Sequence, residues 1–156
     1  MTMERFKEMS PNHFSPVDII LEWKKDYAVV HHGESQYQHV TLDREVLDLD
    51  DESVDKIVLS DLTSQDKQLN QVFEESKRIL KSNGRIFIAI GDFNNTSGRI
   101  NRFLTKFKID GLMDSIAKIV SEKNLLIDKN FILDDRRIYL EIVKLESDYI
   151  RKRIAI

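Results

Sequence analysis

The sequence predicts an α/β protein, built in three layers around a mostly parallel sheet with an antiparallel pair of strands near its end. Three observations carry this. Ile57, Val58 and Leu59 form a short apolar run that breaks at Ser60-Asp61, as in a strand covered on both faces. Leu69, Val72, Phe73, Ile79 and Leu80 then recur at helical spacing. Arg85-Ile-Phe-Ile-Ala-Ile90 follows as a second strand. A strand, a helix and a strand in unbroken order make a βαβ unit, whose crossover runs right-handed. Thr63 with Asp66 supplies an N-cap signature for the helix, and Gly84 a left-handed C-cap.

The preceding elements are shorter. Met1 to Phe14 is expected to be a partly ordered lead-in. Ser15-Pro16-Val17-Asp18 has the pattern of a helix start: Ser15 as N-cap, Pro16 at the first position, Asp18 in the first turn. The helix is expected to reach about Lys25 and bury Ile19, Ile20 and Trp23. Tyr27 to His31 reads as a strand, His32 to Ser35 as a turn and Gln38 to Leu42 as another strand. Asp43 to Ser53 is acidic, anchored by Leu47 and Leu49.

Beyond the second strand, Gly91 to Gly98 is a loop. Arg99 to Lys108 is expected as a short helix. Gly111 to Asn124 is expected as a separate one, with Leu112, Ile116, Ile119 and Val120 on one face. Asn130 to Leu133 and Arg137 to Val143 read as two strands, and the short connection between them favours a hairpin. In the last segment Leu145, Tyr149, Ile150 and Ile154 recur at roughly helical spacing.

The 156 residues form one expected domain, 1–156, with 1–14 as lead-in and 145–156 as a C-terminal segment suited to an interface. The formal charge of −3 gives no overall drive toward nucleic acid or an anionic membrane. The absence of cysteine excludes disulfides, thiolate metal sites and cysteine nucleophiles. No apolar run approaches a membrane span, and Met1 to Ser10 lacks a signal peptide's apolar core. A soluble, cytoplasmic protein is the expectation.

The central stretch also resembles a known family, the class I S-adenosylmethionine-dependent methyltransferases. Leu47 to Asp61 (LDLDDESVDKIVLSD) is similar to that family's acidic turn and fourth strand. Phe73 to Ala89 (FEESKRILKSNGRIFIA) resembles its "helix, Lys-x-Gly-Gly, fifth strand" segment, with Asn83-Gly84 in place of the double glycine. Leu112 to Val143 resembles its closing helix and final strand pair. The resemblance implies a Rossmann-like methyltransferase fold, here reduced at the N-terminus. It also implies S-adenosylmethionine as the cofactor.

The family's cofactor loop follows its first strand and is glycine-rich, because only glycine lets backbone approach the ligand closely. Here the matching stretch is Tyr27 to Ser35, whose single glycine is Gly33. No clean second strand and crossover precede Gln38. The cofactor site is therefore expected to be degenerate, leaving no bound cofactor and a non-catalytic binding or assembly module. The alternative is a shortened site that still serves an active methyltransferase on an unknown acceptor.

In such sheets ligands sit beyond the carboxyl ends of the strands, which brings Ser60-Asp61-Leu62 and Gly91-Asp92-Phe93 to the edge where chemistry is expected. Asp61 is the catalytic candidate, orienting an amine or hydroxyl nucleophile or acting as a general base; equally, Ser60, Asp61 or Thr63 could cap the next helix. Gly33, Asp43, Arg44, Ser60 and Leu62 are the cofactor-binding candidates. Asp43-Arg44 aligns with the position near the adenine ring, and it also suits a solvated turn before Leu47. His31, His32 and His39 fit no zinc spacing, and no metal site is expected. Arg99, Arg102, Lys106 and Lys108 suit a solvated helix face better than a phosphate contact. Tyr149 to Ile156 is too apolar for a free tail. With the shortened sheet entrance, it points to a homo-oligomer or a protein partner, a two-fold dimer being the commonest form.

Overall fold

The computed structural model describes residues 2–24, 28–32, 36–40, 47–62, 66–90, 99–133 and 137–145, with side chains of 36–40, 61–62, 66–68 and 99–109 outside the description. Seven strands are joined in one sheet: β1 (Ile19–Trp23), β2 (Ala28–His32), β3 (Gln36–Val40), β4 (Val54–Leu62), β5 (Leu80–Ile90), β6 (Leu125–Ile132) and β7 (Ile138–Lys144). Their spatial order is β3-β2-β1-β4-β5-β7-β6. The centre is parallel, β1 to β4 and β4 to β5. Both flanks are antiparallel: β1-β2-β3 on one side and β5-β7-β6 on the other. The expected parallel core and terminal hairpin are therefore present, and a second antiparallel flank stands where the family resemblance implies crossovers.

Strand alternation sorts the core into two layers. Ile57 and Leu59 of β4, Ile86, Ile88 and Ile90 of β5, and Leu140 and Ile142 of β7 face one side. Helices α2 (Asp66–Ile79) and α3 (Arg99–Glu122) cover them with Leu69, Phe73, Leu112, Ile116 and Val120. Val58, Phe87, Ala89 and Tyr139 face the other side, covered by Phe6 of the seven-residue helix α1 (Met3–Met9). A 3₁₀ turn, Pro11–His13, follows α1. Phe14 stacks on Phe87 with ring centroids 4.6 Å apart.

Four expectations are corrected. Residues 2–14 are more ordered than the partly ordered lead-in expected: Thr2 caps α1 by accepting from the Arg5 N–H, and Phe6 is fully buried. Ser15–Asp18 makes a turn rather than a helix start. The Asp18 carboxylate accepts from the Ser15 N–H at 2.8 Å, and the chain then extends into β1. A five-residue segment with β-branched Ile19 and Ile20 gains more as an inner strand. Its backbone is paired on both sides, and its side chains meet cover on both faces.

The two expected helices from 99 onward are one, α3, which runs through Gly111 with no neighbour within 4 Å of a Cβ there. Asn124 (φ 57°) follows its end in the left-handed region. At the end of α2 the left-handed residue is Asn83 (φ 65°), not Gly84. Gly84 is needed for space: a Cβ there would lie 2.6 Å from the Leu80 side chain and 2.8 Å from the Lys81 carbonyl oxygen. Thr63 lies outside the described residues, and α2 begins at Asp66. Among the described residues no helix is long and apolar enough to cross a membrane.

Candidate functional site

The carboxyl edge of the parallel strands is formed by Trp23 of β1, Ser60-Asp61-Leu62 of β4 and Ile90 of β5. Ser60 is buried there, and among the described residues its Oγ has no hydrogen-bond partner. An unfilled buried hydroxyl is costly and unusual. Asp61 and Leu62 continue β4, with side chains outside the description. Gly33, Asp43, Arg44 and Gly91 to Phe93 also lie outside the described residues. His32, the residue before Gly33, faces Ile19, at the amino end of the parallel strands. Ser60 stands at the opposite end. The strand beside β4 is β1, not Tyr27 to His31, because Ile20 to Trp23 pair with Lys56 to Leu59.

The connection after β1 is correspondingly short. Trp23 faces Ala28 in the antiparallel β1–β2 pair, and only Lys24-Lys25-Asp26-Tyr27 separate them. Parallel strands need a crossover of a dozen residues or more, whereas antiparallel ones need a tight return. The chain therefore makes a hairpin where the family resemblance puts a glycine-rich loop.

An ionic clasp holds the acidic segment that leads into β4. Glu75 is buried on α2 and accepts from the Leu47 N–H at 2.8 Å and from Arg78. Arg78 donates onward to the carbonyls of Leu49 and Leu47 and to Asp51. The Arg78 hydrogen bonds hold the Glu75 carboxyl below the usual range, and the carboxylates raise Arg78. Leu47 and Leu49 pack into the core, as expected of the segment's anchors. Lys144 of β7, its ammonium lowered by burial, caps α2 through the carbonyls of Lys77 and Leu80.

A second polar cluster, which no sequence motif marks, lies on the α1 face. Glu141 is fully buried on β7. Its Oε1 accepts from the Ser10 hydroxyl and from the Tyr139 hydroxyl, the latter at 2.8 Å. Arg85 of β5 donates to Asp128 of β6 at 2.8 Å and holds that carboxyl low. Burial, then Arg85, pushes the His13 imidazole down, and burial pushes the Tyr139 phenol up. His31 and His32, adjacent on β2, face opposite sides of the sheet; His31 Nε2 lies 3.7 Å from a Glu22 oxygen.

The sequence model of the methyltransferase domain matches residues 13–88, just under half of the chain and spanning β1 to β5. The matched stretch is similar to that domain. The chain matches none of the curated protein sequences. A solved S-adenosylmethionine-dependent methyltransferase from Aquifex aeolicus is 11% identical over 69% of this chain and 55% of its own, with a TM-score of 0.49. A structure described as a type 11 methyltransferase from Sulfolobus solfataricus is 24% identical over 69% and 59%, with a TM-score of 0.44. A third, described as an S-adenosylmethionine-dependent methyltransferase from Methanococcus maripaludis, gives 18%, 69%, 54% and 0.45. The chain thus spans less than two thirds of the length of those proteins.

Proposed function

We propose that this methyltransferase-like chain is a non-catalytic binding and assembly module. The observation that carries the reading is the four-residue return from Trp23 to Ala28. No glycine stands in Lys24 to Tyr27, and four residues cannot hold a cofactor loop and a crossover helix. The residues after β1 therefore do not fit S-adenosylmethionine in the family's manner, and no chemical step is routed through it. The assembly role is supported by β6. It ends the sheet, with no partner on its outer edge among the described residues, and leaves Leu126, Phe131 and Ile132 at 50%, 44% and 62% exposure. An open apolar edge invites pairing, so a second copy of the chain or another protein covers it. Of the C-terminal segment expected to join that contact, residues 146–156 lie outside the described residues.

Ser60 favours one alternative, an active methyltransferase. Its unfilled, buried Oγ stands at the ligand edge of β4, beside Asp61, which would orient the acceptor. Calorimetric titration of S-adenosylmethionine and S-adenosylhomocysteine into the full chain, with light scattering on the same sample, separates the two. The expected result is no heat into the hundreds of micromolar, a binding free energy weaker than about −5 kcal/mol, and a mass above one chain. Micromolar binding that Gly33→Val abolishes overturns the non-catalytic reading. The mass of a single chain removes self-assembly and leaves only a foreign partner.

A further inference from the structure

We propose that His13, Asp128 and Glu141 bind a divalent cation of the zinc class on the α1 face of the sheet. The three come from the 3₁₀ turn, β6 and β7, and one ligand atom from each lies within 4.8 Å of the others. Zinc bonds of about 2.0–2.2 Å set ligand atoms roughly 3–4 Å apart, so small side-chain rotations close the set. Asp128 stands where the β6–β7 register shifts, between Ile127 and Lys129, which turns an extra side chain toward the cluster.

A separate observation calls for a ligand. Glu141 is wholly buried, yet among the described residues its Oε2 has no hydrogen-bond donor; Ser10 and Tyr139 both use Oε1. Lys129 stands off from it at 3.6 Å, with its side chain 52% exposed. A buried carboxylate oxygen with so loose a partner carries a desolvation cost that a bound cation removes. Lys129 can carry its ammonium into water when the cation enters. Arg85 is engaged with Asp128 Oδ2 at 2.8 Å, the outer-shell contact that typically orients a ligating carboxylate.

The donor set chooses the metal. One imidazole and two carboxylates, in a protein without thiolates, suit zinc or manganese better than calcium, which takes oxygen ligands only. The two carboxylates balance the charge of a divalent ion. His13 is held toward its neutral, ligating form by burial and by Arg85. Bound there, the ion ties the residues after α1 to the β6–β7 flank, on the side of the sheet with the thinner cover. The three positions are scattered along the chain, so no spacing motif betrays them.

The test is calorimetric titration of zinc chloride into the full chain, with thermal unfolding measured alongside. One-site micromolar binding and a raised unfolding temperature are expected. His13→Ala should keep the metal-free unfolding temperature and weaken zinc binding by about tenfold or more. Glu141→Gln should do likewise; should that variant not fold, Asp128→Asn takes its place. The proposal is overturned if the native chain takes up no zinc, or if His13→Ala binds it as tightly.

Discussion

Gly84→Ala tests the packing between the end of α2 and the start of β5. The added Cβ would sit 2.6 Å from Cγ and Cδ1 of Leu80 and 2.8 Å from the Lys81 carbonyl oxygen. Carbon atoms are comfortable at about 3.5–4.0 Å, so the intrusion is roughly 1 Å. Leu80 cannot swing aside cheaply, since it is fully buried in the main core, and the Lys81 oxygen is backbone. The usual cost of such overpacking is about 1–3 kcal/mol. At about 2–4 °C per kcal/mol for a domain of this size, the unfolding temperature should fall by roughly 2–12 °C. Gly111→Ala is the internal control. That glycine lies inside α3 with open space around it, so removing its backbone entropy should stabilise by about 0.5–1 kcal/mol. Urea unfolding of both variants is the assay: the midpoint should fall for Gly84→Ala and rise for Gly111→Ala, with the slope unchanged in each. A Gly84→Ala protein as stable as the native chain would refute the close approach of Gly84 to the Leu80 side chain.

Two further outcomes are expected. Phe73→Ala empties a fully buried site between α2 and the sheet and should cost about 3–5 kcal/mol, measured by the same denaturation; a loss below about 1 kcal/mol would mean that α2 is not seated there. Glu75 has its native carboxyl pKa lowered by Arg78, so its contribution to stability is full above the ordinary glutamate value near 4.5 and is lost as the pH falls through the lowered native value. Glu75→Gln should therefore flatten that acid limb, and an acid unfolding profile unchanged by the substitution would count against the clasp.

The part of the fold legible in the sequence is the part where local pattern and tertiary role agree. Leu69, Phe73, Ile79 and Leu80 repeat at helical spacing and are all buried, while Val72 packs partly buried beside them. Ile86, Ile88 and Ile90 face the helices while Phe87 and Ala89 face α1, so the continuous apolar run of β5 records a strand covered twice. The last two strands are visible for a similar reason: a short connection between β-rich runs leaves few options except a hairpin. The single glycine of Tyr27 to Ser35 is legible in the sequence, but not the hairpin that joins β1 to β2.

The misreadings arise where a local signal is outweighed by a distant partner. Ser15, Pro16 and Asp18 supply the capping chemistry of a helix start, and part of it is realised in a turn. The conformation of Ile19 to Trp23 is decided elsewhere, by Lys56 to Leu59 on one side and Ala28 to His32 on the other. A strand flanked on both sides satisfies every ladder position without the cost of nucleating a short helix. Phe6 has no local signature either; it is buried because Ile20, Val58, Phe87 and Tyr139 leave an apolar face that α1 covers together with Phe14 and Leu133. The Ser10–Tyr139–Glu141 cluster is the extreme case. A carboxylate in the middle of the β-rich run Ile138 to Val143 reads as a solvent-facing position, yet it is fully buried, because residues more than a hundred positions earlier fold over it. Its burial comes from the reduced fold: α1 and its 3₁₀ turn cover this face at the β7 end, and the hydroxyls of Ser10 and Tyr139 accommodate one carboxylate oxygen while the other keeps only Lys129 at 3.6 Å. Sequence periodicity registers which face a side chain takes, and it carries no information about what a remote segment will lay across that face.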